Sequence, residues 1–216
     1  MTINKLNEIH EKLKIKYGYF HEEYPEQMMS ALYIEPEHKV LEIGGNIGRN
    51  SCVIASLLND SKNLLVFESD PNNAEKLKEN RDINNFNFII EDCAISKSEL
   101  YQKEWITKNK IEIDINDLQN WQLIKTITWS EIKNKYNICF DVLVADCEGA
   151  LYYILKEEPE FLQNFKLIII ENDFNDYEHK QFINNEFIKF NFRNVYTQAG
   201  GFGPCYNCFY EVWKKY

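Results

Sequence analysis

The sequence predicts an α/β fold, with a mostly parallel sheet covered by helices on both faces. Three observations carry that expectation. Five short, continuously apolar runs alternate with segments of helical period, which is how strands buried on both faces read. The first run, Val40-Leu41-Glu42-Ile43, breaks at once into Gly44-Gly45-Asn46-Ile47-Gly48, where a strand gives way to a helix. The final stretch, RNVYTQAGGFGPCYNCFYEVWKK, reads as two strands joined by a glycine-rich turn, an antiparallel hairpin.

The elements follow in order. Residues 4–16 are polar, with Leu6, Ile9 and Leu13 near helical spacing. Pro25 suits a helix start, and this second helix runs to about Leu32. Strands are expected at 38–43, 63–68, 87–91, 140–145 and 166–171. Helices are expected at 48–59, 71–84, 150–157 and 176–189. Residues 99–130 break the rhythm. Within them KIEIDIND and LIKTITW alternate like exposed strands, and a short helix is expected at 129–136. This stretch reads as an insertion before the fourth parallel strand. No repeat or linker interrupts the chain, so one domain over 1–216 is expected: a helical, substrate-facing cap at 1–35 and a cofactor-binding core at 36–216.

Hydrophobic residues make up 44% of the 216 residues and charged ones 27%, enough for an ordinary core. No apolar stretch is long enough to span a bilayer, and the first residues are too polar for a signal peptide. A cytoplasmic protein with no membrane partner is expected. The formal net charge is -10 and the pI ≈ 5.0. A phosphate-backbone binder needs a basic face, and no Lys/Arg cluster is present to build one. Nucleic acid is therefore a disfavoured partner, and a neutral or cationic small molecule or a glycan is favoured. Cys205 and Cys208 form a C-x-x-C, but with neither a second pair nor a nearby His a zinc or redox role is not expected.

The glycines narrow the ligand. A dinucleotide loop is G-x-G-x-x-G; counted from Gly44, the third position is Asn46 and the sixth Arg49, so the pattern fails twice. A phosphate-binding loop would need a Lys after its last glycine, and none follows Gly48. What remains is acid-x-Gly-x-x-x-Gly: Glu42, Gly44, Gly48. Such a loop suits a ligand without phosphates, whose ammonium group the acid could accept. The second strand ends in Glu68, followed by Ser69; an acid there is placed to accept both hydroxyls of a ribose. The third ends in Asp92-Cys93, where Asp92 could accept from an exocyclic adenine amine. With Asp146 after the fourth, four acids crowd one edge of the sheet, the edge where open α/β sheets bind ligands.

The segments VLEIGGNIGRNS, VFESDPNN, EDCAIS, FDVLVADCEGALYYIL and LIIIEN resemble the ordered motifs of class I S-adenosylmethionine-dependent methyltransferases. More narrowly, DCEGALYYIL is similar to the acid-x-Glu-Gly segment of the FkbM-type family. The resemblance covers about residues 36–175. It departs from the family pattern at Glu42, where Asp is frequent, at Cys147, and in a short N-terminal region. The resemblance implies a Rossmann-like class I methyltransferase fold: a seven-stranded, mostly parallel sheet with an antiparallel C-terminal hairpin and helices on both faces. It implies S-adenosyl-L-methionine as cofactor. Glu42, Gly44, Gly45, Asn46 and Gly48 would line the methionine end. Asn50 and Ser51, at the positive N-terminus of the next helix, would face its carboxylate. Glu68 and Ser69 would hold the ribose, Asp92 and Cys93 the adenine, and Asp146 the cofactor from the fourth strand.

For the acceptor, the Asp/Asn-Pro-Pro-Tyr stretch of amino-methylating enzymes is missing after the fourth strand, where ADCEGA stands. The resembled family implies O-methylation of sugars, polyketides and similar metabolites. A hydroxyl of a sugar, glycan or similar polyhydroxylated metabolite is the expected acceptor; an RNA or protein methyltransferase and a non-catalytic cofactor-binding module are the alternatives. Tyr24, Glu26 and Gln27 are candidates for holding acceptor hydroxyls; the alternative is that Tyr24 and Met28 pack the first helix onto the sheet while the acids face water. Asp146, Glu148 and His179 are candidate catalytic groups, with Glu148 preferred as base because Gly149 leaves room above the strand end. Asp146 with Glu171 and Asn172, at the ends of adjacent strands, could hold Mg²⁺ or Mn²⁺ through oxygen ligands. A catechol-type O-methyltransferase resembles this arrangement.

Overall fold

The computed structural model describes residues 2–104, 106–172 and 176–216. Its elements are α1 (Thr2–Lys12), α2 (Tyr24–Tyr33), β1 (Val40–Ile43), α3 (Arg49–Leu57), β2 (Leu64–Phe67), α4 (Pro71–Asp82) and β3 (Ile89–Glu91). The insertion follows, with β4 (Ala94–Ile95), β5 (Leu100–Lys103), β6 (Ile106–Asn109), β7 (Gln122–Leu123) and β8 (Thr126–Ile127). Then come α5 (Trp129–Lys135), β9 (Val142–Ala145), α6 (Ala150–Glu157), β10 (Leu167–Glu171), α7 (Tyr177–Lys189), β11 (Phe192–Gln198) and β12 (Tyr210–Lys215).

Seven strands form the main sheet in the order β11-β12-β10-β9-β1-β2-β3. The pairs β3/β2, β2/β1, β1/β9 and β9/β10 are parallel; β12 runs antiparallel to both β10 and β11. The chain winds from β1 towards β3 on one side and from β9 towards β10 on the other. β1 and β9 therefore flank the switch point, where such sheets open a crevice. The register pairs Ile43 with both Phe67 and Ala145, and Ala145 with Ile170. Level strand ends put Gly44, Glu68, Asp146 and Glu171 along one edge.

Alternate side chains of each strand feed opposite cores. Leu41, Ile43, Leu65, Phe67 and Leu143 pack with Leu151, Phe161, Phe165 and Phe187. Val40, Leu64, Val66 and Val142 pack on the other face with Met29, Ile54 and Leu77. Fully burying each such side chain is worth about 1.5–3 kcal/mol, so both faces must be covered for the sheet to form. Helix starts are set locally. The Asp70 side chain accepts the N–H groups of Asn72 and Asn73 ahead of Pro71, and Thr128 forms a capping box with Glu131.

Three expectations need correction. The first helix ends at Lys12 rather than at residue 16. The N–H groups of Lys14 and Lys16 are drawn off to the side-chain oxygens of Asn84 and Asn80 on the α4 side, which competes with continuing the helix. KIEIDIND is not a strand. Asn109 and Asp114 capture the N–H groups of Ile111 and Asn116 in tight turns, leaving Ile111 and Ile115 exposed. The hairpin turn is long, running from 199 to 209 with a helical turn at Tyr206–Cys208.

Candidate functional site

The edge of the sheet at the switch point opens into a cavity of about 480 Å³, the size of a small-molecule site. Of the expected ligand residues, Gly44, Asn46, Glu68, Ser69, Cys93, Asp146 and Glu148 line it. The loop between β1 and α3 is built by crossing to β2: Gly44 and Gly45 both donate their N–H to the Phe67 carbonyl, at 2.9 and 3.0 Å. Gly44, Asn46 and Gly48 all have positive φ, at 88°, 46° and 91°. At Gly44 the requirement for glycine is absolute, because an added Cβ would sit 1.4 Å from the Asp146 carbonyl oxygen. The two central strands thus touch backbone to backbone at the cavity floor.

Glu68 is buried at one wall. Its Oε2 accepts the Asn46 N–H and its Oε1 the Asp70 N–H, both at 2.7 Å. Burial pushes its carboxyl up to about 7 against the pull of those two N–H groups. Each carboxylate oxygen keeps a lone pair for a ligand hydroxyl.

Several expected residues lie elsewhere. Glu42 points away from the cavity, against the start of α3, where Asn50 Nδ2 donates to its Oε1 at 3.2 Å; burial raises its carboxyl to about 8. Asn50 and Ser51 are buried with it rather than facing the cavity. Gly45 and Gly48 serve packing: a Cβ would strike Val66 at the first and Leu77 at the second. Asp92 is half-exposed and pairs with Lys125 at 3.2 Å, outside the cavity walls. His179 stacks on Tyr152 between α6 and α7, ring centres 3.6 Å apart, away from the cavity. Gln27 is consumed within the cap: its amide donates to the carbonyls of Phe20 and Glu22, and its oxygen meets His10. Tyr24 packs against Leu6, Ala31 and Val53 of α1, α2 and α3, a contact among helices rather than with the sheet.

Glu26 has a different surrounding. It is 4% exposed, in the first turn of α2. Carboxylate oxygens of Glu26, Asp146 and Glu171 lie within 4.8 Å of one another. Burial, then the Asp146 charge, then contact with Glu171 raise the Glu26 carboxyl well above its ordinary value; burial chiefly raises Glu171. The Tyr210 phenol is raised as well, by burial and then by Glu171. Asn172 follows Glu171 in full burial, but its Nδ2 is tied to the Cys208 carbonyl and, at 3.1 Å, to Glu211, which also pairs with buried Lys180. The Asn172 Oδ1 is buried with no hydrogen-bond partner among the described residues, and Glu26, which the sequence placed among the acceptor-binding candidates, stands with Asp146 and Glu171.

The insertion supplies a wall that the sequence did not disclose. Gln102, Glu104, Thr107, Gln122 and Ile124 face the cavity. Ser69 Oγ meets Gln102 Oε1 at 3.3 Å, and the Thr107 N–H donates to the Glu148 carbonyl at 3.1 Å. The small sheet thus bridges the ends of β2 and β9. On the other side Glu23 Oε1 accepts from Asn46 Nδ2 at 3.0 Å and from Arg49 Nη1 at 2.7 Å, fastening the N-terminal segment to the glycine loop.

Solved structures of similar fold include a ribosomal protein L11 methylase from Lactobacillus delbrueckii subsp. bulgaricus, 10% identical, with a TM-score of 0.57 over 94% of this chain and 82% of that one. An O-methyltransferase from Bacillus cereus, solved in complex with SAH, is 14% identical with a TM-score of 0.52 over 99% and 90%. The chain has the Rossmann-like methyltransferase fold. An rRNA methylase from Streptococcus thermophilus is 9% identical, with a TM-score of 0.51 over 92% and 97%. No family model matches the chain, and no curated protein is similar to it. Within the methyltransferase fold the cavity occupies the switch point, and the roof over it comes from the insertion. Among the described residues, no helix is long and apolar enough to cross a membrane.

Proposed function

We propose that the protein is an S-adenosylmethionine-dependent methyltransferase that methylates an oxygen of a small polyhydroxylated acceptor, a sugar, a glycan or a similar metabolite. The observation that carries it is the cavity at the switch point with Glu68 in its wall, above a loop whose first glycine permits strand-to-strand contact. An acid at the end of β2 suits ribose hydroxyls, and a phosphate-free loop suits a sulfonium nucleoside. The FkbM-type resemblance of residues 36–175 belongs to this reading.

When bound, the cofactor supplies a methyl group on a sulfonium, which an aligned oxygen can displace in line. Glu68 would orient the ribose. Gln102 and Gln122 in the roof, with Ser69, would exclude water from the nucleoside end. Glu148 lines the cavity at the start of α6, and it would accept the acceptor's proton as the oxygen–carbon bond forms and the carbon–sulfur bond breaks. Alignment alone can supply about 7–11 kcal/mol of the barrier. Asp146 in the cavity wall, with the Glu171 carboxylate nearby, together with the net charge of -10, supports an uncharged or cationic acceptor over RNA.

Transfer of label from the cofactor to a panel of sugars, RNA and protein, beside cofactor binding by calorimetry, tests this reading. Labelled sugar ethers are expected. Salt-sensitive labelling of RNA with none of sugars would replace the acceptor, and cofactor binding without transfer to any arm would leave a binding module.

A further inference from the structure

We propose that Glu26, Asp146 and Glu171 hold a protonated primary amine of the acceptor, so that the methylated hydroxyl belongs to an amino sugar or a similar amino alcohol. The proposal rests on the methyl-transfer reading and narrows its acceptor. Helix α2 and the ends of β9 and β10 bring three carboxylate oxygens within 4.8 Å of one another. A primary ammonium carries three N–H donors in a tetrahedral arrangement. Charge-assisted N–H···O bonds run about 2.7–2.9 Å, so three acceptors around one such nitrogen stand about 4.6 Å apart. The triad is of the size that gives one acid to each donor.

Two independent observations point to a cationic ligand. Glu26 is buried, and its Oε1 meets no hydrogen-bond donor among the described residues. The group that Glu26 does contact is a second acid, Glu171. Two carboxyls in contact need a positive charge between them, which a proton or an ammonium can supply. Among the described residues, no Lys, Arg or His forms an ion pair with either: Arg49 is engaged by Glu22 and Glu23, and Lys180 by Glu211. The second observation is the cavity wall. Glu68, Asp70, Glu104, Asp146 and Glu148 line it, and among the described residues no Lys, Arg or His does. The cofactor's sulfonium answers one positive charge in such a wall; the triad provides for another.

Asp146 belongs both to the triad and to the cavity wall, so an amine held there leaves the rest of the acceptor in the cavity with Glu148. The amine fixes the ring, and a hydroxyl at a set distance from it meets the methyl group. The same arrangement rejects neutral analogues. A sugar without the amine leaves buried carboxyl oxygens unpaired, and an N-acetylated one offers a single amide N–H in place of three charged donors.

The test is calorimetry of the full-length protein with D-glucosamine, D-glucose and N-acetyl-D-glucosamine at millimolar concentration. The sugars are titrated in excess chelator and in the presence of S-adenosylhomocysteine, which is also titrated alone. Wild type and Glu75→Gln, which removes an exposed acid on α4, are expected to bind glucosamine at least about tenfold more tightly than either neutral sugar. Glu26→Gln and Glu171→Gln are expected to weaken glucosamine by about tenfold to a hundredfold, the loss of one hydrogen bond to a charged group, while S-adenosylhomocysteine affinity is retained. If Glu26→Gln fails to fold, Glu171→Gln at the end of its strand reads the same site. No preference for the amine, including no binding of any of the three sugars, overturns the site, as does a wild-type preference in both variants. Loss of S-adenosylhomocysteine affinity in the variants assigns the triad to the cofactor's own ammonium and overturns it too. S-adenosylhomocysteine binding without amine preference removes the ammonium site and leaves the methyltransferase reading intact. Amine preference without S-adenosylhomocysteine binding does the reverse.

Discussion

The carboxylate of Glu68 accepts the backbone N–H of Asn46 at 2.7 Å, so the end of β2 holds the glycine-rich loop as well as facing the cavity. The same carboxylate takes the Asp70 N–H on its other oxygen. Glu68→Gln keeps the shape but replaces one acceptor with a donor, so one of those N–H groups faces an amide N–H. Affinity for S-adenosylhomocysteine is expected to fall by about 1–3 kcal/mol. Calorimetry on both proteins, with circular dichroism as a check on folding, measures it. Unchanged affinity would remove Glu68 from the ribose assignment.

Stability should fall as pH rises from 5 to 8. The Glu42 carboxyl is raised from 4.5 to about 8 by burial, and that of Glu68 to about 7. A raised carboxyl favours the folded state while it stays protonated. Its contribution is complete below the unfolded pKa and is lost as pH climbs through the folded one. Each unit is worth about 1.4 kcal/mol, so Glu42 alone accounts for a change of a few kcal/mol. Glu42→Gln should flatten the curve of urea midpoint against pH over that window. A variant with the wild-type slope would contradict the buried, protonated Glu42.

Two glycines with similar φ should respond differently to alanine. At Gly44, φ is +88° and the new Cβ would overlap the Asp146 carbonyl; at Gly203, φ is +83° and nothing lies within 4 Å. Gly203→Ala should cost about 1 kcal/mol of strain. Gly44→Ala should cost several times more, because β1 and β9 must separate, and it should abolish cofactor binding even where the protein folds. Thermal melts and calorimetry on the pair decide the point.

Glu148→Gln should lower kcat by about a hundredfold or more, the usual contribution of a general base, with little change in cofactor affinity. A parallel loss of affinity would make Glu148 a binding group instead. His179→Ala should leave kcat unchanged, since that ring stacks on Tyr152 outside the cavity.

The sheet was legible because its signals are local. Leu64–Phe67 and Val142–Ala145 are continuously apolar since both faces are covered, and each ends in an acid. The level register that aligns Glu68, Asp146 and Glu171 follows from parallel pairing of strands of similar length. Side-chain direction was harder to read. Glu42 lies one residue before Ile43, but the pleat turns it onto the α3 face. Along KIEIDIND, Asn109 just before it and Asp114 within it override the alternation by capturing neighbouring N–H groups. The roof is not legible because nothing in Gln102 or Thr107 marks a distant partner; their contacts reach Ser69 and Glu148, which only the folded chain brings near. Glu26 joined the acids of β9 and β10 for the same reason.

Gly45 and Val66 share one volume. A Cβ on Gly45 would lie 2.3 Å from Val66 Cγ1, while Leu77 Cδ2 at 3.1 Å belongs to a side chain that can shift. The consequence is one of inheritance. Gly45→Ala alone should destabilise the protein, and Val66→Ala alone should leave a hole. The two together should recover much of the loss, since the incoming methyl takes the place of the departing one. In a selection for function, Val66→Ala should surface as a second-site suppressor of Gly45→Ala. A lineage could cross from one pair to the other only through a weakened intermediate.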